Sequence, residues 1–238
     1  MVSLLFYEKP VALDRERHRG VRIGALTNYR FAARTNSVVV TGAEFVEACK
    51  EYPVVLAQTD DRLVPVTLLG LRDSENLFVD AEGRWDARYI PAFVRRYPFV
   101  LAESGASALT VCVDESSQAF DGASGEALFD ADGRNTVFLD QVLNFMNAYQ
   151  SEFRRTEAFV RHLQTLDILT DMSAKVELTD GRSFLLNGLR IVDEAKLMKL
   201  DRAKAHALVK TGEIGWVYAH LISLSNMARL TDRISARR

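Results

Sequence analysis

A change of hydrophobic period near residue 136 constrains this chain more than any other feature. Phe138, Val142, Phe145, Met146, Tyr149 and Phe153 recur at helical spacing, and Phe159, Val160, Leu163 and Leu166 continue the stripe. One long helix, or two consecutive ones, is therefore expected over residues 137–170. Upstream, short apolar runs alternate with turn residues and read as strands. PVVLAQ and LVPVTLLGL form a hairpin around TDDR, NLFVD and RWDARYI flank a further turn, and VLAESGASALTVCVDESS supplies more strand. Short helices interrupt them: TGAEFVEACKEYP, with Thr41 and Glu44 at capping-box spacing and a stop at Tyr52-Pro53, and IPAFVRRYPF, stopped at Pro98.

Beyond the long helix, VELTDGRSFLLNGLRIV carries Asp180-Gly181 between alternating residues, which predicts a β-hairpin near residues 175–192. Two helices close the chain, Asp193–Lys210 and Glu213–Ile234. The expected class is α+β: a β-rich, largely antiparallel N-terminal region (residues 1–135) and a mainly helical C-terminal region (residues 136–238). No low-complexity linker separates them, so residues 1–238 are expected to form one compact unit with two lobes.

Two stretches invite a sharper reading, NLFVDAEGRW (Asn76–Trp85) and ALFDADGRNT (Ala127–Thr136). As calcium loops they fail, because from Asp80 or Asp130 the glycine falls at position four and an arginine at position five. As a duplication they misalign, since Phe78 lies five residues before Gly83 and Phe129 four before Gly133. A one-residue offset reverses the faces of a strand. Two separate strand-connecting turns are the expectation, with Glu-Gly and Asp-Gly supplying the positive φ.

Composition narrows the function classes. At 48% hydrophobic and 26% charged residues the chain suits a soluble globular fold. The net charge of -2 argues against a broad nucleic-acid or anionic-membrane surface, though not against a local basic patch. No secretory signal or membrane-spanning run is recognisable, so a cytoplasmic location is expected. Cys49 and Cys112 are expected to be buried, reduced thiols.

Catalytic patterns are missing. There is no HExxH, GxSxG, GxGxxG or P-loop, and no Cys/His spacing suggests zinc, so neither a metal nor another cofactor is expected. Adjacent Asp114-Glu115 and Asp193-Glu194 diverge on a strand and make no dyad. Asp167 and Asp171, four apart, read as a solvated helix end. His162 and Asp167 point to different faces of that helix. On the last helix Trp216, His220, Ser223 and Met227 share one face beside an apolar stripe of Ile214, Val217, Leu221 and Leu224. His220 is thus either a hydrogen-bonded, part-buried histidine or a ligand or general base at a cleft. In YIPAFVRRYPF, Arg95, Arg96 and Tyr97 could hold a carboxylate or phosphate against an apolar wall, or simply divide between surface and core.

Read in order, PVALDRERHRGVRI, EFVEACKEYPVVLA, LLGLRDSENLFVD, AEGRW, YIPAFVRRYPFVLA, CVDE, LFDADG and GEIGWVYAHLISLSNMARL resemble the SapC family of bacterial proteins over nearly the whole chain. The resemblance implies an association with surface-layer loci and with neighbours such as halogenase-like and cupin-like proteins and TonB-dependent receptors, rather than a reaction. The leading expectation is a non-catalytic binding or accessory protein of a bacterial uptake or surface-associated pathway. It would take a protein or small ligand between the lobes at Arg95, Arg96, Tyr97, Trp216 and His220. The alternatives are an oxygenase or hydrolase using His220 with carboxylates, and a surface-layer component.

Overall fold

A computed structural model describes residues 5–59, 62–104, 108–120, 125–177 and 183–237. The first strands are β1 (Pro10–Ala12), β2 (Arg22–Ile23) and β3 (Ser37–Val39), followed by helix α1 (Phe45–Ala48) and the hairpin β4 (Val54–Thr59) and β5 (Arg62–Leu68). Helix α2 (Ala92–Arg95) precedes a second hairpin, β6 (Phe99–Ser104) and β7 (Ala108–Asp114), and then β8 (Glu126–Ala127). The 29-residue helix α3 (Val137–Thr165) leads into β9 (Leu169–Glu177) and β10 (Ser183–Val192). Helices α4 (Glu194–Leu197), α5 (Arg202–Thr211), α6 (Glu213–Ser223) and α7 (Met227–Ala236) finish the chain. The strands form antiparallel sheets ordered β3-β5-β4-β10-β9, β1-β7-β6 and β2-β8. This is the expected α+β arrangement with a helical C-terminal region.

The same supersecondary unit is built twice, contrary to the reading of two unrelated turns. In each copy an edge strand pairs with the second strand of a hairpin that a short helix and a Tyr-Pro pair introduce. Val54↔Thr67 through Thr59↔Arg62 match Phe99↔Val113 through Ser104↔Ala108, pair for pair. Ser37↔Leu68 matches Pro10↔Asp114. Even the closing bonds repeat: Leu68 N–H to Pro53 C=O (3.0 Å) and Asp114 N–H to Pro98 C=O (2.9 Å). Each unit ends in the same turn, bridged at Val79↔Trp85 and at Phe129↔Asn135, with Gly83 at φ 86° and Gly133 at φ 77°. Val79, not Phe78, is the counterpart of Phe129. Matching the two Leu-Phe pairs therefore created the false offset. NLFVD and RWDARYI contribute a single bridge here rather than two strands.

Sequence similarity follows the structure, FVEACKEYPVVLA against FVRRYPFVLA. Phe45 and Phe93, Val55 and Val100, and Leu56 and Leu101 are buried at equivalent places. The units differ in their strand order along the chain. β1, which serves the second unit, precedes the whole of the first.

Three other expectations shift. The hairpin is longer than residues 175–192, beginning at Leu169, and its Asp180-Gly181 turn lies outside the described residues, as do Asp60 and Asp61 of TDDR. Asp167 and Asp171 straddle the junction between α3 and β9 instead of ending a helix. Cys112 is buried, but Cys49 is only part-buried, at the end of α1.

Both terminal helices are broken by side-chain bonding. Asp201 accepts from the Lys204 N–H (2.9 Å) and starts α5 afresh, so Asp193–Lys210 is not continuous. Between α6 and α7 the chain tightens to a 3-10 turn at Leu224–Asn226, where the Asn226 amide donates to the Cys49 carbonyl (2.7 Å). Arg233 and Arg237 on and after α7 donate to the carbonyls of Leu77 (3.2 Å) and Asn76 (2.9 Å). The helical region is thereby fastened to the first unit.

Candidate functional site

A cleft of about 1260 Å³ opens within the N-terminal region. Its walls are Leu5–Glu8, the segment before β3 from Gly24 to Thr35, Tyr97 after α2, and Glu115–Phe120 after β7. The aromatic wall begins with Tyr97, whose ring stacks on Phe31 at 4.0 Å and 17°. Phe31 packs edge-on against Phe6 (5.3 Å), and Tyr7 lies 5.5 Å from Tyr97 with its hydroxyl donating to the Phe99 carbonyl (2.8 Å). Burial pushes the Tyr7 hydroxyl up to about 12, so it remains a donor at neutral pH.

The polar wall is organised by the buried Asp114. Its carboxylate accepts from the Glu8 and Lys9 N–H groups (2.9 and 3.0 Å) and from the Ser116 hydroxyl (2.6 Å), tying the N-terminal strand to the loop after β7. Burial pushes this carboxyl up, but the hydrogen bonds from Ser116, Glu8 and Lys9 outweigh it and the net direction is down. The next residue, Glu115, is gripped by Arg17 (2.7 and 2.8 Å) and Lys9 (2.9 Å), which hold its carboxyl down to about 2. The negative charge of Glu115 is therefore already matched. His18 sits buried behind it, Nε2 3.5 Å from the Glu115 Oε1, while Nδ1 accepts from the Asp14 N–H (3.0 Å). Arg30 donates to the Ala81 carbonyl (2.7 Å), whereas exposed Arg34 has no ion pair or hydrogen bond among the described residues.

Of the five residues singled out from sequence, only Tyr97 lines this cleft. Arg95 is exposed and lies over Tyr89 and Phe145, at 5.8 and 5.4 Å. Arg96 is buried at 3% exposure, stacked on Phe93 at 4.0 Å beside Tyr149 and Tyr7, with Nε and Nη2 unpartnered. It backs the aromatic wall through Tyr7 rather than facing the opening. Trp216 meets Phe159 edge-on at 5.2 Å and carries Arg155 over its ring at 4.4 Å.

His220 is bonded at both ring nitrogens. Nε2 accepts from the Val192 N–H (3.0 Å), so Nδ1 carries the hydrogen and donates to the Val54 carbonyl (2.8 Å). Burial lowers its pKa to about 4, and it stands neutral with no lone pair to spare. His162, for its part, pairs with Glu213 at 2.6 Å. Among the described residues no group of three His, Cys, Asp or Glu side chains could hold a metal ion. The cleft lies wholly within residues 5–125, not between the two expected lobes. Phe31 and Arg34 went unmarked in the sequence because neither belongs to a periodic run.

The arrangement offers a flat aromatic surface on one side, an unengaged guanidinium in Arg34 and a Glu115 carboxylate already paired, while exposed Glu8 has no ion pair among the described residues. A family model, SapC, matches residues 13–230 of the chain. No curated protein and no solved structure matches it.

Proposed function

The chain belongs to the SapC family, and from that premise we propose a non-catalytic binding protein whose ligand occupies the cleft beside Tyr97. The ligand is a small molecule with an apolar or aromatic body and an anionic group. The observation that carries this reading is the stacked Tyr97–Phe31 pair facing a cleft whose one unengaged arginine is Arg34. Aromatic faces recognise planar or aliphatic bodies, and a guanidinium recognises carboxylate or phosphate in a bidentate manner. The protein would serve as an accessory factor in a bacterial uptake or surface-associated pathway, working in the cytoplasm.

Native mass spectrometry of protein purified gently from its host tests this. The wild-type chain is expected to carry a small-molecule adduct that Arg34→Glu loses, with both proteins melting at the same temperature. Wild-type protein without any adduct, and equal responses of the two proteins to a panel of aromatic and aliphatic carboxylates, would overturn the proposal.

A further inference from the structure

The net charge of the chain conceals an asymmetry. Residues 194–211 hold five Lys and Arg but only two Asp and Glu. Within that segment α5 is peripheral, with only Leu208 fully buried. On the side of α5 away from Leu208, the helical period gathers Arg202, His206, Val209 and Lys210. Large apolar side chains stand out among these cations: Val209 is 61% exposed, Met198 73% and, on neighbouring α6, Ile222 61%.

Next to α5 lies a shallow pocket of about 360 Å³ where Lys196, Lys199 and Lys204 are set against the carboxylates of Asp167 and Asp201, so it offers little net charge. Two of those lysines have carboxylate neighbours, Lys196 with Asp167 at 3.8 Å and Lys204 with Asp201 at 3.6 Å. Lys199, Arg202 and Lys210 have no ion pair among the described residues.

We infer that the outer face of α5, with Met198 and Lys199 just before it, docks on an anionic phospholipid surface. Lys199, Arg202 and Lys210 meet the phosphodiester headgroups, and Met198 and Val209 enter the boundary between headgroups and acyl chains. Charge complementarity selects this occupant, since each Lys or Arg near an anionic leaflet adds attraction. The alternation of single apolar side chains with cations on an outer helix is the pattern of helices that lie in a membrane interface. An acidic protein would instead call for a continuous apolar centre with a polar rim. The rest of the chain, on balance acidic, leaves this face as the one directed to the bilayer. No helix among the described residues is long and apolar enough to cross a membrane, so the contact is peripheral.

Vesicle flotation of the full chain tests the inference, using phosphatidylcholine alone or mixed with phosphatidylglycerol. Wild-type protein is expected to float with the mixed vesicles only, and to come off in high salt. Neutralising Lys199, Arg202 and Lys210 together to Gln should weaken binding roughly a hundredfold, at about fivefold per charge. Met198→Ser with Val209→Ser should weaken it with every charge intact. All five side chains are exposed, so melting curves matching wild type are expected of both variants. Equal flotation with both vesicle types, or undiminished binding by the triple variant, would refute the inference. So would indifference to mixed vesicles alongside binding of an acidic peptide through the same cations, which would assign the face to a protein.

Discussion

His220 joins three elements through one ring, tying α6 to the Val54 carbonyl of β4 and to the Val192 N–H of β10. Its Ser223 neighbour accepts the Val54 N–H at 2.9 Å, so both backbone groups of Val54 bond to the helix where β4 and β10 part. Removing the imidazole strands the buried Val192 N–H and leaves the Val54 carbonyl only the longer 3.3 Å bond from the Ser223 hydroxyl, and His220→Ala should cost about 2–5 kcal/mol. The lowered pKa gives this histidine a pH signature. Above the ordinary value of 6.5 it is neutral in both folded and unfolded chains and contributes no pH dependence. Between 6.5 and about 4 the unfolded chain takes up a proton that the folded chain refuses, so stability falls with pH by roughly 3 kcal/mol. Urea melts across that window should show a steeper loss for wild type than for His220→Gln, and parallel curves would contradict the clamp. The shared face of Trp216, His220 and Ser223 was legible from spacing alone. What the face meets was not, because Val54 and Val192 lie far away along the chain.

Among the elements, the repeated unit shows how one pattern comes to hold two roles. Tyr52 and Tyr97 occupy equivalent positions before their hairpins, yet their hydroxyls face different company. Tyr52, fully buried, donates to the Tyr89 carbonyl and accepts from the Trp85 indole (2.8 Å). Tyr97 lines the cleft. Tyr52→Phe is therefore expected to cost about 1–3 kcal/mol by leaving buried groups unpaired, and Tyr97→Phe less than about 1 kcal/mol. Thermal unfolding of the two variants decides the matter, and equal losses would mean that the hydroxyls are equivalent after all. The hairpins, the capping box at Thr41 and the long α3 could all be read locally. The break at Leu224–Asn226 could not, since continuous helical periodicity carries no sign of a side chain bonding a distant carbonyl, and the break at Asp201 was masked by the helical spacing on either side of a local cap.

For the whole molecule, the five-stranded sheet mixes early and late sequence. β3, β4 and β5 come from the first unit, and β9 and β10 from beyond residue 168. Leu189↔Ala57 and Arg190↔Leu56 join them, and Arg233 on α7 caps the turn after β5 through Leu77 and Asp86. We therefore expect residues 1–238 to melt in one cooperative transition by calorimetry, with the fragment 1–135 unfolded on its own. Two resolved transitions would instead favour separable lobes. Local chemistry in the sequence by itself determined the class of the fold: the change of period near residue 136, the Tyr-Pro stops, the Gly-Arg turns and the ordered segments of the family. Tertiary structure alone decided that Arg96 is buried while Arg95 is exposed, that His220 is a clamp, and that the cleft gathers Tyr7, Phe31, Arg34, Tyr97 and Glu115. The physical reason is range. Periodicity and turn chemistry act between residues a few positions apart, whereas burial, pKa and partnership are set by whichever distant strand or helix arrives against them.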